Sequence, residues 1–113
     1  RQHFEPIVEG MWRGVNVGGT SMLARLEGLD VCGKTGTAEN PRGRDHSTFL
    51  SFAPKDNPKI AISVYVENGG FGASAALPIA SLLEEYYLTD TIRRPALLDY
   101  VRNMTINYPA YDR

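Results

Sequence analysis

A single cysteine, Cys32, stands in the whole chain, which excludes an internal disulfide and any cysteine-based zinc cluster and says little about redox compartment. An excess of charge of one sign is also lacking. Twelve lysines and arginines stand against 13 acidic residues, for a formal net charge of -1, so no basic field is available to hold nucleic acid. The longest apolar runs, Ile60 to Val66 (broken by Ser63) and Ala73 to Leu83, fall far short of a membrane span. No internal repeat or low-complexity tract is present. The chain opens Arg1-Gln2-His3-Phe4, without an initiator Met or the apolar stretch of a signal peptide, and this reads as a start inside a longer polypeptide. No cofactor and no metal are expected.

What is there is ordinary for one soluble domain: 113 residues, 42% hydrophobic and 22% charged. Glu5 to Val17 is expected to be helical, with Pro6 at a first helical position and Ile7, Val8, Met11, Trp12 and Val15 on one face. Gly18-Gly19 should end it, and Thr20 is placed to cap a short helical turn that stops at Gly28. Leu29 to Thr37 reads as a strand poor in bulk, Asn40 to Arg44 as a loop. Ser47 to Ala53 and Lys59 to Glu67 form a clear pair of strands joined by Pro54 to Pro58, an antiparallel hairpin. In the first, Phe49 alternates with Leu50 and Phe52; in the second, Ile60, Ile62, Val64 and Val66 share a face. After a turn at Asn68 to Gly72, a helix runs from about Ala73 to Leu88 with an apolar stripe of Ala76, Ala80, Leu83 and Tyr87. Pro95 opens a small helix with Leu97, Leu98 and Val101 on one side, and Asn107 to Arg113 reads as an extended tail. The expected fold is α+β: a three-stranded antiparallel sheet covered by N- and C-terminal helices, with residues 1–88 as the main unit and 89–113 as a small helix and tail.

The chemistry concentrates around Lys34. Gly28-Leu29-Asp30-Val31-Cys32-Gly33-Lys34-Thr35 matches the phosphate-binding P-loop pattern, and Ile60 to Glu67 resembles the apolar strand whose terminal acid holds magnesium in such enzymes. A P-loop, however, holds phosphate at the start of a helix opened by its Lys and Thr. Here that helix would meet Gly36, Thr37 and then Pro41 within two turns, and Ala24 to Glu27 before the motif is no buried strand. Read as a strand, Lys34, Gly36 and Ala38 point one way, Thr35 and Thr37 the other. On an edge strand beside a cleft, Gly36 would let a substrate backbone lie flat, while an ammonium and hydroxyls bind a carboxylate and a free N–H faces an oxyanion.

Lys-Thr-Gly is one of the three signature motifs of penicillin-binding proteins and class A β-lactamases. The ordered set Cys32 to Glu39, Asp45-His46, Phe52-Ala53-Pro54 and Val66 to Gly70 closely resembles class B penicillin-binding proteins, and within them the branch of penicillin-binding protein 2, the cell-elongation transpeptidases. The resemblance covers roughly residues 5 to 88. It implies peptidoglycan cross-linking: a serine attacks the D-Ala-D-Ala end of a stem peptide, D-Ala leaves, and an amine of a second peptide accepts the acyl group. Carried onto this chain, it assigns Lys34 to the substrate carboxylate and the proton network around the serine. Thr35 and Thr37 would bind the terminal carboxylate of substrate or β-lactam, Gly36 would keep that surface flat, and the Thr37 N–H would form half of the oxyanion hole. It also implies a membrane anchor elsewhere in the polypeptide and a catalytic domain on the periplasmic face of the inner membrane.

The chain departs from that pattern in one respect. No serine here is followed three residues later by Lys, and no Ser-x-Asn occurs. The nucleophile, its lysine and the second motif are expected upstream of Arg1, and these 113 residues alone are expected to be inactive.

Other residues take plainer readings. Cys32 is expected to be a small buried apolar residue, Asp45 and His46 to anchor a loop or cap a strand, and Asn68 to Gly70 to shape a loop bordering the cleft. Ser74 lacks the final glycine of a nucleophile elbow and any paired base. Arg93 and Arg94 read as a solvated helix end, with a contact to a partner in the elongation machinery as the alternative. Three functional classes are thus in play: a transpeptidase segment, a P-loop nucleotide-binding domain, and a non-catalytic sheet module that binds protein partners. Uncovered sheet edges and the Trp12 helix face would also permit dimerisation.

Overall fold

The structure is a computed structural model that describes residues 2–106. Three strands, β1 (Cys32–Ala38), β2 (His46–Ala53) and β3 (Ile60–Val66), form one antiparallel sheet in that order. The helices are α1 (Phe4–Asn16), α2 (Ala76–Thr89) and α3 (Pro95–Asn103), with one 3₁₀ turn at Met22–Ala24. This is the α+β arrangement expected from the sequence. No helix among the described residues is long and apolar enough to cross a membrane. Asn107 to Arg113, read as an extended tail, lies outside the described residues.

The register explains the layering. Thr35 pairs with Phe49 and Phe49 with Val64, while Ser51 pairs with Gly33 and Ile62. Directly opposed residues share a face, so Gly33, Thr35, Phe49, Ser51, Ile62 and Val64 all look the same way. Both α1 and α2 pack on that face: Phe49, Val15, Leu77 and Ala80 are buried in a common core with Val31 and Ala53. The other face carries Lys34, Leu50 and Tyr65, all exposed.

Gly33 is where α1 meets the sheet. A Cβ built there would lie 2.6 Å from the Phe49 ring and 3.3 Å from Val15. A bare backbone at this point lets the ring fill the space between helix and strand. Only the second half of α1 is covered in this way; Phe4 and Ile7 are 69% and 59% exposed. Trp12, by contrast, is half-buried, its indole N–H donating to Asp30 Oδ1 and the Lys55 ammonium lying 5.3 Å over its ring. The uncovered part of this helix is therefore its start, not the Trp12 face.

Several expected boundaries shift. Helix α1 ends where Gly18 takes φ 71°, as its glycines suggested. The short turn that follows has Ser21, not Thr20, at its start and no side-chain cap. β1 begins at Cys32, three residues later than Leu29, because the Leu29 N–H bonds Leu26 O and the Val31 N–H bonds Leu29 O, curling that stretch into tight turns.

The stripe assigned to α2 is corrected. Ala76 and Ala80 are buried, but Leu83 and Tyr87 are 54% and 61% exposed. The buried face runs instead through Leu77, Ala80, Ser81 and Glu84. Glu84 reaches the sheet, where its Oε2 accepts a 2.6 Å hydrogen bond from Ser51 Oγ, and its Oε1 has no partner among the described residues.

Beyond Thr89 the chain is tied down by Arg94. Its Nε donates to Glu85 Oε1 at 3.2 Å, one terminal nitrogen to Leu23 O, and the other to Ser81 O and Oγ. The Glu85 side chain is 5% exposed, so Arg94 is a clamp between α2, the 3₁₀ turn and the start of α3, rather than the solvated helix end expected. Leu97, Leu98 and Val101 are half-buried, as their spacing predicts.

Candidate active-site strand

The segment around Lys34 is a strand. Cys32 to Ala38 is extended and paired along its length with β2, from Cys32 opposite Phe52 to Ala38 opposite His46. No helix opens at Lys34, and the residues from Gly28 to Thr35 do not wrap a phosphate-sized loop. That overturns the P-loop reading. The cause is local: Gly36, β-branched Thr37 and Pro41 deny the helix the pattern requires, while β2 supplies the ladder.

β1 is an edge strand, bonded to β2 on one side only within the described residues. Its side chains split across the sheet. Lys34 and Gly36 belong to the open face, where a Cβ built on Gly36 would collide with Thr48 Oγ1. Thr35 and Thr37 belong to the helix face. Lys34 and Thr37 are nonetheless both exposed. A ligand can meet all four residues only by lying along that edge. The Lys34 ammonium meanwhile donates to Thr35 O at 2.8 Å.

A loop closes over the far end of the strand. Gly72 lies so close to the ladder that a Cβ on it would fall 2.6 Å from both Gly36 O and Thr48 O. From there the Gly72 N–H donates to Thr37 Oγ1 at 3.4 Å. The loop is held by Ser47, a fully buried residue directly opposite Thr37 in the register. Its Oγ donates to Phe71 O at 2.8 Å and accepts the Ala76 N–H at 2.9 Å. Ala75, the residue preceding α2, offers no side-chain cap, so a serine from the sheet satisfies a helix amide that would otherwise be orphaned. Sequence reasoning missed this, since Ser47 lies 29 residues from the amide it caps.

A second polar group fastens the Asn40–Arg44 loop to the same corner. Asn40 Nδ2 donates to Asn68 Oδ1 at 2.8 Å, the Asn40 N–H to Asp45 Oδ1, and the Asn68 N–H to His46 Nδ1 at 3.0 Å. Asp45 and His46 therefore anchor loops, as expected, and Asn68 to Gly70 shape the turn beside β1. Cys32 is fully buried, and desolvation pushes its thiol up to about 11, against a smaller opposing pull from Lys55. That is a packing residue, not a nucleophile.

Two surface grooves lie away from this strand. One of about 540 Å³ is bounded by Leu26, Leu29, Glu85 and Arg94, and one of about 730 Å³ by Leu23, Ser74, Leu97 and Tyr100. Neither touches residues 34–37.

With that geometry in view, comparison with known proteins is decisive. The sequence model of the penicillin binding protein transpeptidase domain matches residues 1–83. The chain belongs to this family. A peptidoglycan D,D-transpeptidase MrdA of Haemophilus influenzae is 35% identical over 106 residues, covering 79% of this chain and 16% of the relative. MrdA of Acinetobacter baumannii is 36% identical over 92 residues, with 68% and 14% covered. Among solved structures, Pseudomonas aeruginosa PBP2 in complex with WCK 5153 superposes with a TM-score of 0.67 at 36% identity, over 76% of this chain and 19% of that one. Penicillin-binding protein A of M. tuberculosis, as an imipenem acyl-enzyme complex, gives 0.59 at 31% identity, over 74% and 19%. This transpeptidase segment thus spans less than a fifth of these relatives. The class B resemblance drawn from residues 32 to 70 agrees with the matched relatives.

Proposed function

We propose that this chain supplies the Lys-Thr-Gly wall of a serine D,D-transpeptidase that cross-links peptidoglycan, with a nucleophile contributed by residues outside this 113-residue segment. The observation that carries the reading is the extended Gly33–Thr37 backbone on an open sheet edge, with Lys34 and Thr37 exposed on its two sides.

In the reaction, the serine oxygen bonds to the penultimate D-Ala carbonyl carbon and its proton passes to a neighbouring base. Collapse of the tetrahedral intermediate expels the terminal D-Ala, whose nitrogen takes up a proton. An amine from a second stem peptide then attacks the acyl ester, releasing the serine. Lys34 neutralises the substrate carboxylate and biases proton movement around the serine. The Thr35 and Thr37 hydroxyls bind that carboxylate. Gly36 keeps the edge flat, so the peptide can add alongside β1 as another strand would. The Thr37 N–H is half of the oxyanion hole; losing one such donor costs about 10²–10³ in rate. β-Lactams, as acylating mimics of the D-Ala-D-Ala end, enter the same groove. Membrane anchoring and a periplasmic location go with this proposal. So does a division into the C-terminal portion of the transpeptidase domain at residues 1–88 and a C-terminal segment at 89–113.

The test is labelling with a fluorescent penicillin. The 113-residue chain should take no covalent label, and the complete polypeptide should be labelled at a serine upstream, with Lys34→Ala abolishing most of the labelling. Labelling of the isolated chain would overturn the division of labour. A complete polypeptide without Ser-x-x-Lys would instead favour the non-catalytic sheet module. Dimerisation of the isolated 113-residue chain through its open sheet edges is a further part of the proposal; a clean monomer in light scattering at high concentration rejects it.

A further inference from the structure

We infer that Ser47 is a positioning residue for substrate binding: it holds the Phe71–Gly72 backbone so that the Gly72 amide orients the Thr37 hydroxyl toward the open edge of β1. The inference rests on the proposed role of Thr37 in binding the substrate carboxylate.

A threonine hydroxyl has one proton and two acceptor sites. When the Gly72 N–H donates to Thr37 Oγ1, one acceptor site is filled and the proton is left to donate elsewhere. Thr37 is exposed, so that proton is free to donate to a ligand lying along the edge. For an anion this is the useful orientation, because a carboxylate can only accept. The bond is long, at 3.4 Å, and depends on where the loop places Gly72. Two contacts set that position. Gly72 sits so close to the ladder that a Cβ on it would fall 2.6 Å from both Gly36 O and Thr48 O, and the preceding carbonyl, Phe71 O, is gripped by Ser47 Oγ. Ser47 is fixed in turn by accepting the first amide of α2. With its single proton committed to Phe71 O and one lone pair to Ala76 N–H, it has one available rotation. The chain of bonds thus runs from the start of α2 to a substrate-facing hydroxyl without Ser47 itself touching substrate, since it is fully buried.

The experiment is a double-mutant cycle on the complete transpeptidase polypeptide, read as the second-order rate of acylation by benzylpenicillin. Thr37→Val and Ser47→Ala are each expected to slow acylation, Ser47→Ala about tenfold, the size of one hydrogen bond to a charged group. In the Thr37→Val background, Ser47→Ala should add nothing. Benzylpenicillin methyl ester, which lacks the carboxylate, should acylate at a rate insensitive to Ser47→Ala. A general packing role would slow acylation by the same factor in both backgrounds and with both compounds, and would overturn the inference, as would an unchanged rate in Ser47→Ala. Should Ser47→Ala not fold, Ser47→Cys preserves the size while weakening both bonds, and the same cycle applies. If Thr37→Val alone acylates normally, the reading of Thr37 fails, and that outcome is distinct from a failure of Ser47 to act through it.

Discussion

Gly72 and Gly36 face each other backbone to backbone across the end of the sheet: a side chain on Gly72 would meet Gly36 O at 2.6 Å and Gly36 N at 2.9 Å. Neither of those atoms can rotate away. The contact joins the loop before α2 to the strand that carries Lys34.

Gly72→Ala should consequently lift that loop from β1. Overpacking against fixed backbone costs about 1–3 kcal/mol, which should appear as a lowered midpoint in denaturant unfolding. The lesion should also loosen the Thr37 environment, giving faster amide exchange at Phe71 to Ser74 than in Gly36→Ala, where the obstacle is only the movable Thr48 hydroxyl.

Gly33→Ala should disturb the core from the other side. The added methyl meets the Phe49 ring at 2.6 Å, so the double substitution Gly33→Ala/Phe49→Leu should recover part of the stability lost in the single variant. Phe49→Ala alone, removing a side chain that is 1% exposed, should cost about 3–5 kcal/mol. Both are read from chemical denaturation.

Glu84 predicts a pH dependence. Burial pushes its carboxyl above the ordinary 4.5, against smaller opposing effects of the Ser51 hydrogen bond and the Arg94 charge. A carboxyl raised in the folded state favours folding while protonated. Its contribution is complete below the unfolded value near 4.5 and is lost as pH rises through the higher folded value. Glu84→Gln should remove this decline, so that the stabilities of variant and parent converge toward acid and separate as pH rises. Thermal unfolding across that range measures it; parallel curves would contradict it.

Arg94→Ala should release α3 from α2. The substitution leaves Glu85, whose side chain is 5% exposed, without its cation and frees the carbonyls of Leu23 and Ser81. The pair is only part-buried, with 23% of the Arg94 side chain exposed, so the loss should fall below the roughly 3–5 kcal/mol of a fully buried pair. Limited proteolysis should then cut between Thr89 and Pro95 well before it reaches the sheet.

The sheet was legible in the sequence because its signal is simple. Ile60, Ile62, Val64 and Val66 alternate, and the Pro54–Pro58 link is too short for anything but a hairpin. The extended state of Gly33 to Thr37 was legible from Gly36 and Pro41, which forbid the competing helix. The facing of α2 was not. Its inward side carries Ser81 and Glu84, which look like surface residues until Arg94 and Ser51 are seen to meet them. Leu83 and Tyr87 look like core and point outward. The support around Thr37 was hidden for a related reason: Gly72 and Thr37 are 35 positions apart, and a hydrogen bond from a backbone amide leaves no mark on side-chain pattern.

The buried Cys32 thiol has a practical corollary for spectroscopy. With ionisation pushed up to about 11, on the order of one thiol in ten thousand is reactive thiolate at neutral pH. A maleimide or spin label will pass over it. A new cysteine placed on the exposed side of β1 or at Phe71 can be tagged selectively in the otherwise native chain, so that movement of the loop against the strand can be followed directly.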